Sequence, residues 1–147
     1  MNIVKHLKGL KLPPLPKRQS FSKKEYIVTA ILASLIGTYL DLYFVGKGIY
    51  EFPQRPLPEF FTIHIGFTLF GLPVSVILLL SFLSRLNNGR KIVFILIVSL
   101  LMAVFERFSE LLGFFQHSAE WKHYYTFFGY ALFLIILTVF FHWVKKQ

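Results

Sequence analysis

Four apolar runs, at about residues 26–45, 60–83, 92–112 and 127–144, fill most of this 147-residue chain. Each approaches the ~20 residues that a helix rising ~1.5 Å per residue needs to cross ~30 Å of hydrocarbon. Lipid offers no water to satisfy backbone N–H and C=O groups, so runs of this length fold as helices rather than open strands. The pattern predicts an all-α integral membrane protein, an antiparallel bundle of four transmembrane helices joined by short loops. A hydrophobic share of 55%, with 18 Phe and 16% charged residues, is too apolar for an ordinary soluble domain.

Charge along the chain sets an orientation. Lys5, Lys8, Lys11, Lys17, Arg18, Lys23 and Lys24 precede the first run, Arg85, Arg90 and Lys91 lie between the second and third, and Lys145 and Lys146 follow the fourth. In the other two connections Glu51 and Glu59 offset Lys47 and Arg55, and Glu120 offsets Lys122. Short loops rich in Lys and Arg stay in the cytoplasm, so both termini and the middle loop are expected inside. Topology thereby accounts for the net charge of +9, and nucleic acid is not an expected partner. The start of the chain lacks the apolar region and cleavage pattern of a signal peptide, so the first run reads as a permanent anchor in the plasma membrane.

Two divisions follow: a basic, proline-containing cytoplasmic segment at 1–22 and a four-helix domain at 23–147. In the first, Ile3, Val4, Leu7 and Leu10 recur at helical spacing, with Lys5, Lys8 and Lys11 displaced from them. That is the pattern of a short interfacial helix whose lysines meet anionic lipid headgroups on the inner leaflet. Pro13, Pro14 and Pro16 then make a stiff spacer. A basic tail that only sets topology accounts for the same residues. Ser22 and Glu25 form a capping box flanked by Phe21 and Tyr26, which starts the first helix at Lys23. Pro58 and Glu59 suit the first turn of the second helix, and Ser118 suits the start of the fourth. Pro73, after Gly71, predicts a kink in the second helix. Gly66, Gly71, Thr68 and Ser75 suit close helix packing within the bundle or between copies of it.

An ionisable residue inside such a span is costly enough to be a functional candidate. Asp41 lies ~27 Å along the first helix and Glu106 ~21 Å along the third, both toward the outer side. Glu110 is one turn beyond Glu106 on the same face, and Arg107 can reach Glu110. His64 falls about one turn inside the outer end of the second run. These five are the expected pocket, with Glu59, His117, Glu120 and His123 as its rim. Charges at this depth also snorkel to water, and an Arg–Glu pair also clamps helices together.

The chain has no cysteine, so disulfides, thiol nucleophiles and thiolate metal sites are excluded. A metal would need His, Asp and Glu, and the Glu-x-x-x-Glu pair is too permissive to assign one. No cofactor is expected. Gly46-Lys47-Gly48 lacks the strand and spacing of a phosphate loop, and no Ser, His and acid constellation stands out.

The run from Gly37 to Phe44, the loop from Tyr50 to Glu59, Phe105-Glu106-Arg107, Gly113 to His117 and Glu120 to Tyr125 form a set of outward motifs. Over roughly residues 26–145 they resemble a family of small multi-span membrane proteins of Bacillus- and Clostridium-type bacteria. The resemblance implies a bacterial plasma-membrane protein and carries over no catalytic residue. The leading expectation is an outward-facing pocket of acids and histidines that binds or conducts a cation, a proton or a metal ion. The alternative is a non-catalytic accessory or structural subunit of a larger membrane complex, and the expected partners are the lipid bilayer and either a second copy of the chain or that larger complex. A third reading is a membrane enzyme using Glu106 or His64 on a lipid-like substrate.

Overall fold

The computed structural model describes residues 23–147. Among them are helices α1 (Lys24–Gly46), α2 (Leu72–Leu83), α3 (Asn88–Leu111) and α4 (His123–Lys145), a π-helical turn at Phe67–Gly71, and strands β1 (Tyr50–Glu51) and β2 (Gln116–His117). Helices α1, α3 and α4 are long and apolar enough to cross a membrane, and Phe67–Leu83 is a shorter apolar helix. The interfacial helix, the lysines assigned to headgroups and the Ser22 cap lie outside the described residues.

Side-chain contacts fix the helix directions. At one end the Tyr26 hydroxyl donates to Ser84 Oγ over 3.2 Å, Tyr26 stacks edge-on against Phe141, and Lys91 Nζ donates to His142 Nε2 over 3.2 Å. The start of α1 therefore meets the ends of α2 and α4, and the start of α3 meets the end of α4. At the other end Phe44 of α1 packs against Trp121, just before α4. Consecutive helices thus alternate in direction. Ala33, Leu72, Val76, Leu80, Leu83, Ile95, Val98, Leu134, Leu137 and Phe141 form one buried core shared by all four. Lys23, Lys24, Arg85, Arg90, Lys91, Lys145 and Lys146 gather at the first end, and every acidic residue except Glu25 at the second.

The second helix begins later than its apolar run. Residues 60–83 read as one span, yet Pro58 and Glu59 sit in a turn, where the Phe60 and Phe61 N–H groups donate to Leu57 O. The Arg55 guanidinium closes this loop by donating to Phe52 O over 2.6 Å and Phe61 O over 2.7 Å. Those bonds hold the backbone in a non-helical path that the local sequence does not specify.

Pro73 acts through the π-helical turn. In that turn Leu72 N–H donates to Phe67 O, five residues back. The next bond of the series would run from residue 73 to Thr68 O, and proline has no N–H to make it. The Ser34 hydroxyl of α1 fills the vacancy, donating to Thr68 O over 2.6 Å. Thr68 is fully buried, and a buried carbonyl without a donor costs about 1–3 kcal/mol. Ser34→Ala is expected to lower stability by about that amount, read as a fall in the melting midpoint in detergent. A melting curve that did not move would remove this account of the turn.

Helices α1 and α3 end alike. Gly48 (φ +68°) and Gly113 (φ +77°) adopt the left-handed conformation that favours glycine. Ile49 N–H donates to Phe44 O and Gly48 N–H to Val45 O; Phe114 N–H donates to Ser109 O and Gly113 N–H to Glu110 O. Both ends are Schellman motifs, which satisfy the last carbonyls and reverse the chain. They aim the following segments at each other, and Tyr50 pairs with His117 and Glu51 with Gln116 in an antiparallel ribbon. Ser118 N–H extends the ribbon to Ile49 O over 2.9 Å. Ser118 therefore does not start α4, which begins at His123 after a non-helical Lys122.

Candidate functional site

The ribbon decides what stands over the end of α3. By pairing with Tyr50 it places His117 above the last turns of that helix, and the turn from Ser118 to Lys122 brings His123 to the same level. The result is a compact group on three segments: Glu106, Arg107 and Glu110 of α3, His117 of β2, and His123 with Thr126 of α4.

The Thr126 hydroxyl donates to Glu106 Oε1 over 2.6 Å and accepts from Trp121 Nε1 over 3.0 Å. This chain fixes the carboxylate, whose side chain is only 10% exposed. Arg107 Nη1 donates to Glu110 Oε2 over 3.0 Å and to His123 Nε2 over 3.3 Å. His123 Nδ1 lies 3.7 Å from Glu106 Oε1, and His117 Nε2 lies 3.4 Å from Glu110 Oε1. The two imidazole rings meet edge to face, with centroids 5.0 Å apart. One donor atom each from Glu106, His117 and His123 falls within 4.8 Å of the others.

Two of those atoms carry the chemical argument. Among the described residues His117 Nε2 and His123 Nδ1 are buried and have no hydrogen-bond partner, a condition rare in proteins because desolvation is costly. His117 Nδ1 is 3.1 Å from Ser118 O. A carbonyl can only accept, so Nδ1 carries a proton, and in the neutral ring Nε2 is the atom left with a lone pair. Nε2 stands 3.4 Å from Glu110 Oε1 with no hydrogen bond between them. Two acceptors at this separation repel unless a proton or a metal ion lies between them.

Tyr50 sits among Phe44, Phe115 and Trp121, with centroids 4.8–5.0 Å away. Burial raises its phenol pKa above the ordinary tyrosine range, and Glu106, Tyr130 and Asp41 push the same way. Asp41 and Glu106 therefore both act on one phenol.

The expected pocket is thus brought together in part. Glu106, Arg107 and Glu110 stand in the cluster, and Asp41 is linked to it only through its effect on Tyr50. His117 and His123, expected at the rim, stand at the centre instead. His64 caps the second helix: its Nδ1 accepts the Phe67 N–H over 3.1 Å. Glu59 and Glu120 are exposed, and Glu120 edges a shallow depression with Ile49, Trp121 and Tyr125. The sequence signal for the histidines was the pair of glycines at 48 and 113, which turn two loops toward one another.

The described residues define an all-α protein with three helices of membrane-crossing length, a shorter apolar helix and a His–Glu cluster at one end. The chain matches no protein-family model, no curated protein and no solved structure.

Proposed function

We propose that the chain is a four-span protein of the bacterial plasma membrane, with both termini in the cytoplasm, that binds a cation at the acidic end of its bundle on the outer side. The observation that carries this reading is the buried His117 Nε2, without a hydrogen-bond partner among the described residues and 3.4 Å from Glu110 Oε1. A bound proton or metal ion turns that repulsion into attraction. The segregation of basic residues to the other end supports the orientation, since short basic segments stay inside. Phe67–Leu83 would be the second span, tied to α1 through Ser34.

Two measurements test the reading. The cysteine-free chain allows single cysteines to be placed at will. Lys47→Cys is expected to react with a membrane-impermeant maleimide added outside intact cells, and Lys145→Cys only after lysis; the reverse pattern overturns the orientation. Thermal unfolding in detergent across pH and a panel of cations tests the site, because a ligand of the folded state raises its stability. Melting midpoints indifferent to every cation and to pH would rule out a cation site.

One feature favours a second reading. A shallow groove lined by Ala103, Val104, Phe108 and Leu111 runs up to Arg107 and His123, the shape and polarity of a seat for an acyl chain with an anionic headgroup. Turnover of extracted lipids, lost in Glu106→Gln, is the result that reading requires.

A further inference from the structure

We infer that the cation is a zinc-type transition-metal ion held by Glu106, His117 Nε2 and His123 Nδ1, with Arg107 as the group that it displaces. The inference rests on the cation-site reading above and names the ion.

The donor set selects the metal. Calcium takes 6–8 oxygen ligands and magnesium a near-octahedral oxygen shell, which two carboxylates beside two imidazoles do not make. Imidazole with carboxylate suits Zn²⁺ and its neighbours, and the absence of thiolate disfavours the softest ions. In a tetrahedral zinc site with bonds of ~2.0–2.1 Å the donors stand roughly 3.3 Å apart. His123 Nδ1 and Glu106 Oε1 are already at 3.7 Å, and the full trio lies within 4.8 Å. Rotation of His123, which is 42% exposed, closes the difference. Glu110 Oε1, 3.4 Å from His117 Nε2, stands ready as a fourth ligand.

The outer partners have the form that metal sites use. Ligating histidines donate their second N–H to a carbonyl or carboxylate, which fixes the ring, and ligating carboxylates are hydrogen-bonded in turn. His117 Nδ1 donates to Ser118 O, and Glu106 Oε1 accepts from Thr126, itself held by Trp121. Arg107 stands against this arrangement. A guanidinium only donates, so its contact with His123 Nε2 makes that atom an acceptor and leaves the ring proton on Nδ1, the ligating atom. A metal at Nδ1 moves that proton to Nε2 and pushes Arg107 onto Glu110 alone. Arg107 is 58% exposed and free to swing.

The test uses the full chain, made without a polyhistidine tag, in detergent, with Zn²⁺ measured by titration calorimetry and Co²⁺ by its visible spectrum. Zn²⁺ is expected to bind one to one, and Co²⁺ to give intense tetrahedral-type bands that Zn²⁺ removes. His117→Ala and His123→Ala should each weaken Zn²⁺ binding at least 10-fold, while His6→Ala leaves it unchanged. Arg107→Gln should tighten it about 10-fold, or ~1.4 kcal/mol. The His123 variant keeps the test open if His117→Ala fails to fold, since His123 is partly exposed. Ca²⁺ or Mg²⁺ binding as tightly as Zn²⁺, or Zn²⁺ binding that survives both histidine changes, overturns the inference and leaves the cation site standing. A stability that responds to pH but to no metal does the same in favour of a proton. No linkage to any ion overturns both.

Discussion

Glu106→Gln is expected to abolish the cation-linked rise in melting temperature while leaving the ion-free protein close to its original stability. At ~100 times its dissociation constant a ligand of the folded state adds ~2.7 kcal/mol. For a chain of this size each kcal/mol moves the midpoint by about 2–4 °C, so the lost shift is several degrees and easily read. The asymmetry between the two states follows from geometry. Glutamine keeps an amide oxygen where Thr126 donates over 2.6 Å, so the hydrogen-bonded chain to Trp121 survives. It removes the negative charge and one of the three donors gathered within 4.8 Å. If Glu106 were only a helix clamp, the substitution would lower stability equally with and without the ion. That outcome would count against the site and for a structural role.

Gly37→Ala is expected to cost about 1–3 kcal/mol by overpacking, although alanine is the better helix former. A Cβ at position 37 would stand 2.5 Å from Leu72 Cδ2, and Leu72 belongs to the shared core. Helices α1 and α2 meet here just beyond the Ser34–Thr68 bond, and Leu72 would have to leave its rotamer within the shared core to make room. Gly37→Leu should be worse. Leu72→Ala in the same chain should recover part of the loss, because the two side chains would then no longer compete for one space. A double-mutant cycle with no coupling between positions 37 and 72 would refute the contact. The close approach was expected at Gly66 or Gly71. A Cβ at Gly71 would instead meet Phe67 of its own helix, and one at Gly66 would meet Pro56 and His64 at ordinary distance.

The candidate site divides in the same way. Glu106, Arg107 and Glu110 were legible because a helix repeats every ~3.6 residues and puts positions three and four apart on one side. Their neighbours were not. His117 and His123 are separated from Glu106 by a glycine turn, a two-residue strand and a second turn, and nothing in their own spacing places them together. Their position depends on Tyr50 pairing with His117, a contact between residues 67 apart in the chain. His64 failed to join for a local reason, since its ring accepts the Phe67 N–H at the start of the second helix.

The sequence by itself determined the four apolar helices, the approximate ends of all but the second and the segregation of acids from bases along them. These follow from hydrophobic length, from helical period and from the direct reading of charge, all of which are local. Only the tertiary structure decided that the second helix starts at a π-helical turn whose unpaired carbonyl is served by Ser34. It alone decided that two loops at the acidic end pair into a ribbon and that His117 and His123 rather than His64 stand beside the α3 carboxylates. Those outcomes depend on which groups from distant segments can satisfy one another once buried, and that is a property of the packed chain.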